Sequence, residues 1–92
     1  MSKVVMVVEV KDVAKAEEGF RTHADLFRGL TINKPIHFGT IGGNQIAGVF
    51  EPDDVAVFVK GIEAQATADA MDADGVKRET VKVFVLDKTF EV

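Results

Sequence analysis

The chain has 92 residues, of which 47% are hydrophobic and 28% are charged, and it contains no cysteine. This length fits a single domain over residues 1–92, and the lack of cysteine excludes disulfides, thiol chemistry and thiolate zinc sites. The net charge of −4 argues against nucleic acid as a partner, because phosphate binding needs a basic surface. The apolar run at residues 4–8 is too short for a signal peptide or a membrane span, so we expect a cytoplasmic protein that does not bind membranes.

Residues 3–10 are rich in β-branched side chains and predict the first strand. Asp12 then stands as the N-cap of a helix predicted over residues 13–30. In that helix the apolar residues fall on one side and most charged residues fall opposite, which is typical of a helix packed on a sheet. The apolar side contains Val13, Ala16, Phe20, Ala24, Phe27 and Leu30.

Residues 36–41 and 45–51 predict two short strands around Gly42-Gly43-Asn44, which is a hairpin signal. A three-residue turn would place four large apolar side chains on one face, whereas a two-residue turn would scatter them. These side chains are Ile36, Phe38, Ile46 and Phe50. We therefore favour the three-residue turn.

Residues 51–54 (EPDD) begin the second helical region. Proline is tolerated in a first helical turn, and acidic groups there face the positive end of the helix dipole. We expect the body of this helix over residues 55–59, a break at Gly61 and a second helical segment over residues 64–71. Asp74-Gly75 would end that segment.

Residues 80–87 predict the last strand, and a short tail after it carries Phe90 and Val92. The element order is then β-α-β-β-α-β. Chirality and short connections favour an α+β ferredoxin-like fold, in which a four-stranded antiparallel sheet has both helices on one face.

The face of the sheet that carries no helix is predicted to be apolar as well. Monomeric proteins rarely leave such a patch exposed. The patch consists of Val5, Val7, Ala47, Val49, Phe84 and Leu86. We therefore predict a homodimer in which two sheets pack face to face about a twofold axis, with Phe90 and Val92 reaching onto the partner.

This element order and the doubly apolar strands resemble the dimeric α/β-barrel superfamily over nearly the whole chain. The stretches DGVKRETVKVFVLDKTF and EPDDVAVFVKGI are also similar to small bacterial single-domain proteins of unknown function in that superfamily. Its members include cofactor-free monooxygenases, haem-degrading enzymes, lactone isomerases, and dehalogenating or dehydrating enzymes, so the resemblance constrains the chemistry weakly. The lack of Trp and Tyr departs from several oxygenase and haem-degrading relatives, whose pockets use such residues.

His23 is the first candidate catalytic residue. It lies in the apolar arc of the first helix between Leu26 and Ala24, so we expect its side chain to be at least half buried against the sheet. A histidine in that position can bind a ligand or move a proton near neutral pH. Its own helix face offers no nearby carboxylate, so any acid that orients it must come from another element. The alternative is a structural histidine at the edge of the core.

His37 is the second candidate catalytic residue. It alternates with Ile36 and Phe38, which places it on the opposite side of its strand. There it would line the cavity between the two sheets of the dimer, with Gln45 and Lys82 as ligand-binding neighbours. The alternative is a polar residue at the rim of the dimer.

Neither a metal nor a cofactor is expected. The two histidines lie on different elements, which argues against a shared metal site. Asp72 and Asp74 before Gly75 are spaced as in a calcium loop, but its first and twelfth positions would be Ala70 and Val81, which cannot ligate.

Two functions remain open at this level. The first is a small-molecule-binding protein or cofactor-free enzyme that acts on a small apolar metabolite. Its pocket would lie between the first helix and the sheet and would be lined by Phe20, His23 and Phe27. The second is a non-catalytic homodimeric module, structural or regulatory, in which both histidines are structural. RNA binding is disfavoured because the third strand contains one Phe and no basic residue.

Overall fold

The computed structural model describes residues 3–92. In this range the chain forms four strands, four helices and a short 3-10 helix, Arg78–Thr80, that precedes the last strand. In chain order the elements are β1 Lys3–Glu9, α1 Val13–Thr22, α2 Ala24–Gly29, β2 His37–Ile41, β3 Gln45–Phe50, α3 Val55–Ile62, α4 Gln65–Ala73 and β4 Lys82–Leu86.

The sheet has the strand order β2-β3-β1-β4 with every neighbouring pair antiparallel. This is the predicted ferredoxin-like arrangement. Ile41 pairs with Gln45 across the hairpin, so the turn has three residues, as the sequence indicates. Gly43 and Asn44 both have positive φ, of 81° and 62°, which is the backbone that glycine and asparagine tolerate best.

The core lies between the helices and one face of the sheet. Alternate residues of β1 point into it, and Val4, Met6 and Val8 are at most 5% exposed. A chain of aromatic rings crosses the core from α1 to α3, with centroid separations of 5.1 to 5.8 Å. Its members in order are Phe20, Phe27, Phe50 and Phe58.

The first helical region is not one helix over residues 13–30, because it is interrupted at His23. His23 has φ −99° and ψ 31°, and it ends α1 and precedes α2. The Thr22 hydroxyl donates to the carbonyl of Gly19 at 3.1 Å, a backbone contact of the kind that bends helices. The bend also changes which face of the helical region is buried. Ala24 is exposed, although the single-helix pattern predicts it on the apolar side.

The second helical region differs in where it breaks. α3 continues through Gly61 to Ile62, and the interruption falls at residues 63–64. Leu30 packs against the bare backbone of Gly61 and would collide with a Cβ there. The glycine therefore permits close helix packing and does not end the helix.

Both aspartates that the sequence predicts at helix starts cap their helices, but Pro52 is not part of the second helical region. Asp12 caps α1 by accepting from the Lys15 N–H at 3.1 Å, and Asp54 caps α3 by accepting from the Val57 N–H at 3.1 Å. Pro52 lies outside the helix and forms an isolated bridge with Ile32.

The last strand begins at Lys82, two residues later than predicted. The Thr80 hydroxyl accepts from the Glu9 N–H at 2.9 Å and donates to the Lys77 carbonyl at 2.6 Å. These side-chain hydrogen bonds stabilise the 3-10 turn, and the turn replaces the strand pairing predicted for these residues. After Leu86 the tail over residues 87–92 has no regular structure, and Phe90 is 84% exposed.

Candidate functional site

A small cavity lies between the helices and the core face of β1. Its volume is about 40 Å³, and a water needs roughly 10–15 Å³ of such space, so it holds about three waters. The wall is almost wholly apolar. Its members are Met6, Val8, Phe20, His23, Leu26, Phe27, Leu30, Ile62, Thr67, Ala70, Met71, Asp74 and Val76.

Two ionisable side chains in this wall contact each other. The Nδ1 atom of His23 lies 3.1 Å from the Oδ2 atom of Asp74, and the two side chains are 32% and 14% exposed. The His23 side chain is thus more than half buried, as its position on the helical wheel predicts. Asp74 is the C-cap of α4, so the acid does come from another element.

Sequence reasoning missed Asp74 as a site residue. Asp74-Gly75 was interpreted as the end of a helix, which it is: Gly75 has a φ of 75°. What the sequence does not reveal is that the end of α4 lies beside the break between α1 and α2. The signal that points to this contact is Gly19, an otherwise unfavourable residue inside α1.

The pairing defines what His23 can do. A proton on Nδ1 directed at the Asp74 carboxylate leaves Nε2 of the neutral imidazole as an acceptor. A carboxylate in contact with one nitrogen of a neutral imidazole holds the proton on that nitrogen and so fixes the tautomer. The cavity therefore combines apolar walls with one imidazole that contacts a carboxylate.

Phe20 and Phe27, the two predicted aromatic wall residues, both line the cavity. Their rings are tilted against each other with centroids 5.6 Å apart. Thr67 is the remaining polar wall residue, and its hydroxyl donates to the carbonyl of Gly61 at 2.7 Å. The proton of this hydroxyl is therefore already engaged, and only its lone pairs are left to face the cavity.

The other predicted site residues lie on the helix-free side of the sheet, which we call the open face. Strand register places His37 beside Val49 on this face, so the two histidines lie on opposite sides of the sheet. Gln45 and Lys82 line one shallow hollow there. His37 lies on the edge strand β2, and β3 and β1 separate it from Lys82. The structure thus brings Gln45 and Lys82 together but not His37.

The predicted apolar patch is contiguous on the open face. Pairing between neighbouring strands aligns Val5 with Val49 and Phe84, and aligns Val7 with Ala47. Leu86 continues the patch on β4. The side chains nearest the sheet edges are the most exposed: Phe84 is 51% exposed and Leu86 is 49% exposed.

Over residues 3–92, no group of three or more His, Asp or Glu side chains is arranged to hold a metal ion. Within the same range, no helix has the length and apolar character needed to cross a membrane.

No family model matches this chain, and no curated protein is significantly similar to it in sequence. Several solved structures share its fold. An antibiotic biosynthesis monooxygenase is 13% identical with a TM-score of 0.66, the alignment covering 97% of this chain and 99% of the other. A candidate antibiotic biosynthesis monooxygenase from Bordetella bronchiseptica is 12% identical with a TM-score of 0.72 and 97% coverage of both chains.

A dimeric ferredoxin-like protein from an uncultured marine organism is 11% identical, with a TM-score of 0.57 and coverage of 99% of this chain and 90% of the other. Identities this low establish shared architecture and leave activity open. The chain has the ferredoxin-like fold that its sequence predicts, and these solved structures share it.

Proposed function

We propose that this protein binds a small, mostly apolar molecule in the cavity beside His23 and that His23 acts there as a base. The observation that carries the proposal is the His23–Asp74 contact of 3.1 Å within a wall that is otherwise apolar. Pockets that combine apolar walls with a few convergent polar groups are the usual form of a small-molecule site.

The chemistry that suits this site is transfer of a proton from a weakly acidic O–H or C–H of the ligand to Nε2 of His23. The bond between that hydrogen and the ligand breaks, its electron pair stays on the ligand, and the imidazolium that forms is paired with the Asp74 carboxylate. The apolar wall excludes water, which strengthens this charge pairing. The proposal requires no cofactor.

The structural comparisons support the class of function and no more. Two of the neighbours are named as antibiotic biosynthesis monooxygenases, which are enzymes by name. The same fold thus accommodates small-molecule chemistry in those proteins. For this chain the assignment depends on the cavity and its base.

The test compares phenol with toluene, which have the same shape and differ in one O–H. Both are titrated against the protein, and the methyl NMR signals of Met71 and Val76 in the cavity wall report binding. We expect phenol to bind about tenfold more tightly, because one net hydrogen bond contributes roughly 0.5–1.5 kcal/mol. Replacing His23→Leu should abolish this preference and retain toluene binding. The control Thr40→Val, which also replaces a polar side chain with an apolar one but at an exposed position of β2, should preserve it.

Failure of both compounds to shift the cavity signals, up to their solubility limits, would contradict ligand binding at this site. It would favour the alternative, a non-catalytic homodimeric module. Equal binding of phenol and toluene would retain the cavity as an apolar site and remove the role of His23 as a base.

We also propose that a second copy of the chain covers the open face. The contiguous patch with Phe84 and Leu86 about half exposed supports this, as does the dimeric state named for one structural neighbour. In such a dimer the polar groups His37, Gln45 and Lys82 would lie at or near the lumen between the sheets. This places a second candidate ligand-contacting region there, distinct from the cavity at His23.

A further inference from the structure

A surface hollow adjoins the cavity on the side of α1. It is open to solvent and has a volume of about 280 Å³, several times that of the cavity. Its floor is apolar and its rim carries one acid and one base. The residues that line it are Glu17, Phe20, Arg21, Ile36 and Phe38.

Phe20 lines both the hollow and the cavity, so its ring lies between them. On the cavity side its centroid is 5.6 Å from that of Phe27, and on the hollow side it is 5.4 Å from that of Phe38. Beneath it β3 contributes Gly48, where even a Cβ would lie 3.8 Å from the Phe20 ring. The space above Gly48 is filled by the Phe50 ring, whose nearest atoms would lie 2.9 and 3.0 Å from that Cβ. The Phe20 ring therefore packs beside Phe50, and it is only partly buried.

The charges at the rim compensate each other. An Arg21 side-chain nitrogen donates to the Glu17 carboxylate at 2.9 Å across one helical turn. A charged ligand group would have to displace one member of this pair, whereas an uncharged alkyl chain would lie on Ile36 and Phe38 without disturbing it. The hollow thus suits an apolar chain.

We propose that the hollow is the outer subsite of the same ligand site and that Phe20 determines the length of ligand the protein accepts. This inference rests on the proposed function of the cavity. The ligand class is a small ring with a weakly acidic group, which occupies the cavity at His23, and an uncharged alkyl substituent of a few carbons, which passes Phe20 into the hollow. Binding requires the Phe20 ring to turn aside, which joins the two spaces and supplies the volume that the ring of the ligand needs beyond the 40 Å³ of the cavity.

The test measures the preference for 4-butylphenol over phenol, as the ratio of their dissociation constants, in the wild type and in variants of Phe20. In the wild type we expect magnetisation transfer between the butyl protons and Ile36. Phe20→Ala should raise the preference about tenfold, because the chain no longer has to displace a ring. Phe20→Leu, which conserves an apolar side chain at a position that packs in the core, should raise it by a smaller factor.

Phe90→Ala is the matched control, because it truncates a phenylalanine that is 84% exposed on the tail. It should leave the preference unchanged. An unchanged preference in both Phe20 variants, or an equal rise in Phe90→Ala, would overturn the role of Phe20. Lack of phenol binding to the wild type would instead contradict the proposed function, so the two failures are distinguishable.

Discussion

The Asp74 carboxylate occupies the space that a side chain at Gly19 would require. An ideal Cβ built on Gly19 collides with the carboxyl carbon and both oxygens of Asp74, and Gly19 itself is buried inside α1. The contact between Asp74 and His23 therefore depends on a glycine in a neighbouring helix. Since glycine weakens a helix interior by roughly 1 kcal/mol relative to alanine, this residue has a cost in stability and permits the paired site.

We predict that Gly19→Ala separates the pair without unfolding the protein. The new methyl group would push aside only the end of a flexible side chain, and the gain in helix propensity would offset the lost contact, so the free energy of unfolding should stay within about 1 kcal/mol of the wild type. The preference for phenol over toluene should fall to that of Asp74→Asn. Urea denaturation and the NMR titration measure the two effects.

Gly29→Ala provides the control for this change. Gly29 also lies in a helix of the same region, but no atom outside its own helix and chain neighbours lies within 4 Å of an added Cβ. Its replacement should leave the phenol preference close to wild type and should raise the free energy of unfolding by no more than about 1 kcal/mol, the gain in helix propensity. A phenol preference that survives in Gly19→Ala would show that Asp74 does not orient His23.

The fold could be predicted because its signals are local and repeated. The alternation of side chains along β1 determines which residues face the helices. The three-residue turn at Gly42-Gly43-Asn44 determines the register of the hairpin. The site could be predicted only in part, since His23 lies on a helix whose periodicity indicates its direction. The Asp74 contact could not, because it depends on a bend at His23 and on how two helix ends meet. Gly19 indicates that another element packs closely against α1, but it does not identify Asp74 as the residue there.

We predict that Gly61→Ala destabilises the protein, in contrast to Gly29→Ala. An added Cβ at Gly61 collides with the end of the Leu30 side chain, which is only 7% exposed and packs in the core. Overpacking of a core typically costs about 1–3 kcal/mol, and the gain in helix propensity offsets about 1 kcal/mol of this. Urea denaturation should therefore show a net loss. Unchanged or increased stability would contradict the view that Gly61 is present for close packing.

Thr80→Val should destabilise the junction before β4. The substitution keeps the shape of the side chain but removes the hydroxyl that accepts from the Glu9 N–H at 2.9 Å. A partly buried donor without its acceptor costs about 1 kcal/mol or more. Hydrogen exchange of the Glu9 amide should accelerate. The matched change Thr40→Val, at an exposed position of β2, should alter the free energy of unfolding by no more than about 0.5 kcal/mol.

The last prediction concerns Val7, at the centre of the open face. Val7 lies on the inner strand β1 between Ala47 on β3 and Lys82 on β4. Val7→Glu would place a carboxylate directly opposite Lys82, and such a cross-strand pair is compatible with a folded monomer. In a dimer with facing sheets this carboxylate and Lys82 would both lie against the apolar patch of the partner, where even a paired charge loses its hydration at a cost of several kcal/mol. We therefore expect the variant to fold and to lose the dimer.

Light scattering at micromolar concentration measures this directly: the wild type should have the mass of two chains and Val7→Glu the mass of one. Val57→Glu is the matched control, because Val57 is 44% exposed on α3, on the helical side of the molecule. It should remain dimeric. A monomeric wild type would contradict the dimer itself. A dimer that survives Val7→Glu but dissociates in Val57→Glu would show that the copies associate through their helices, and the apolar open face would then need a different partner.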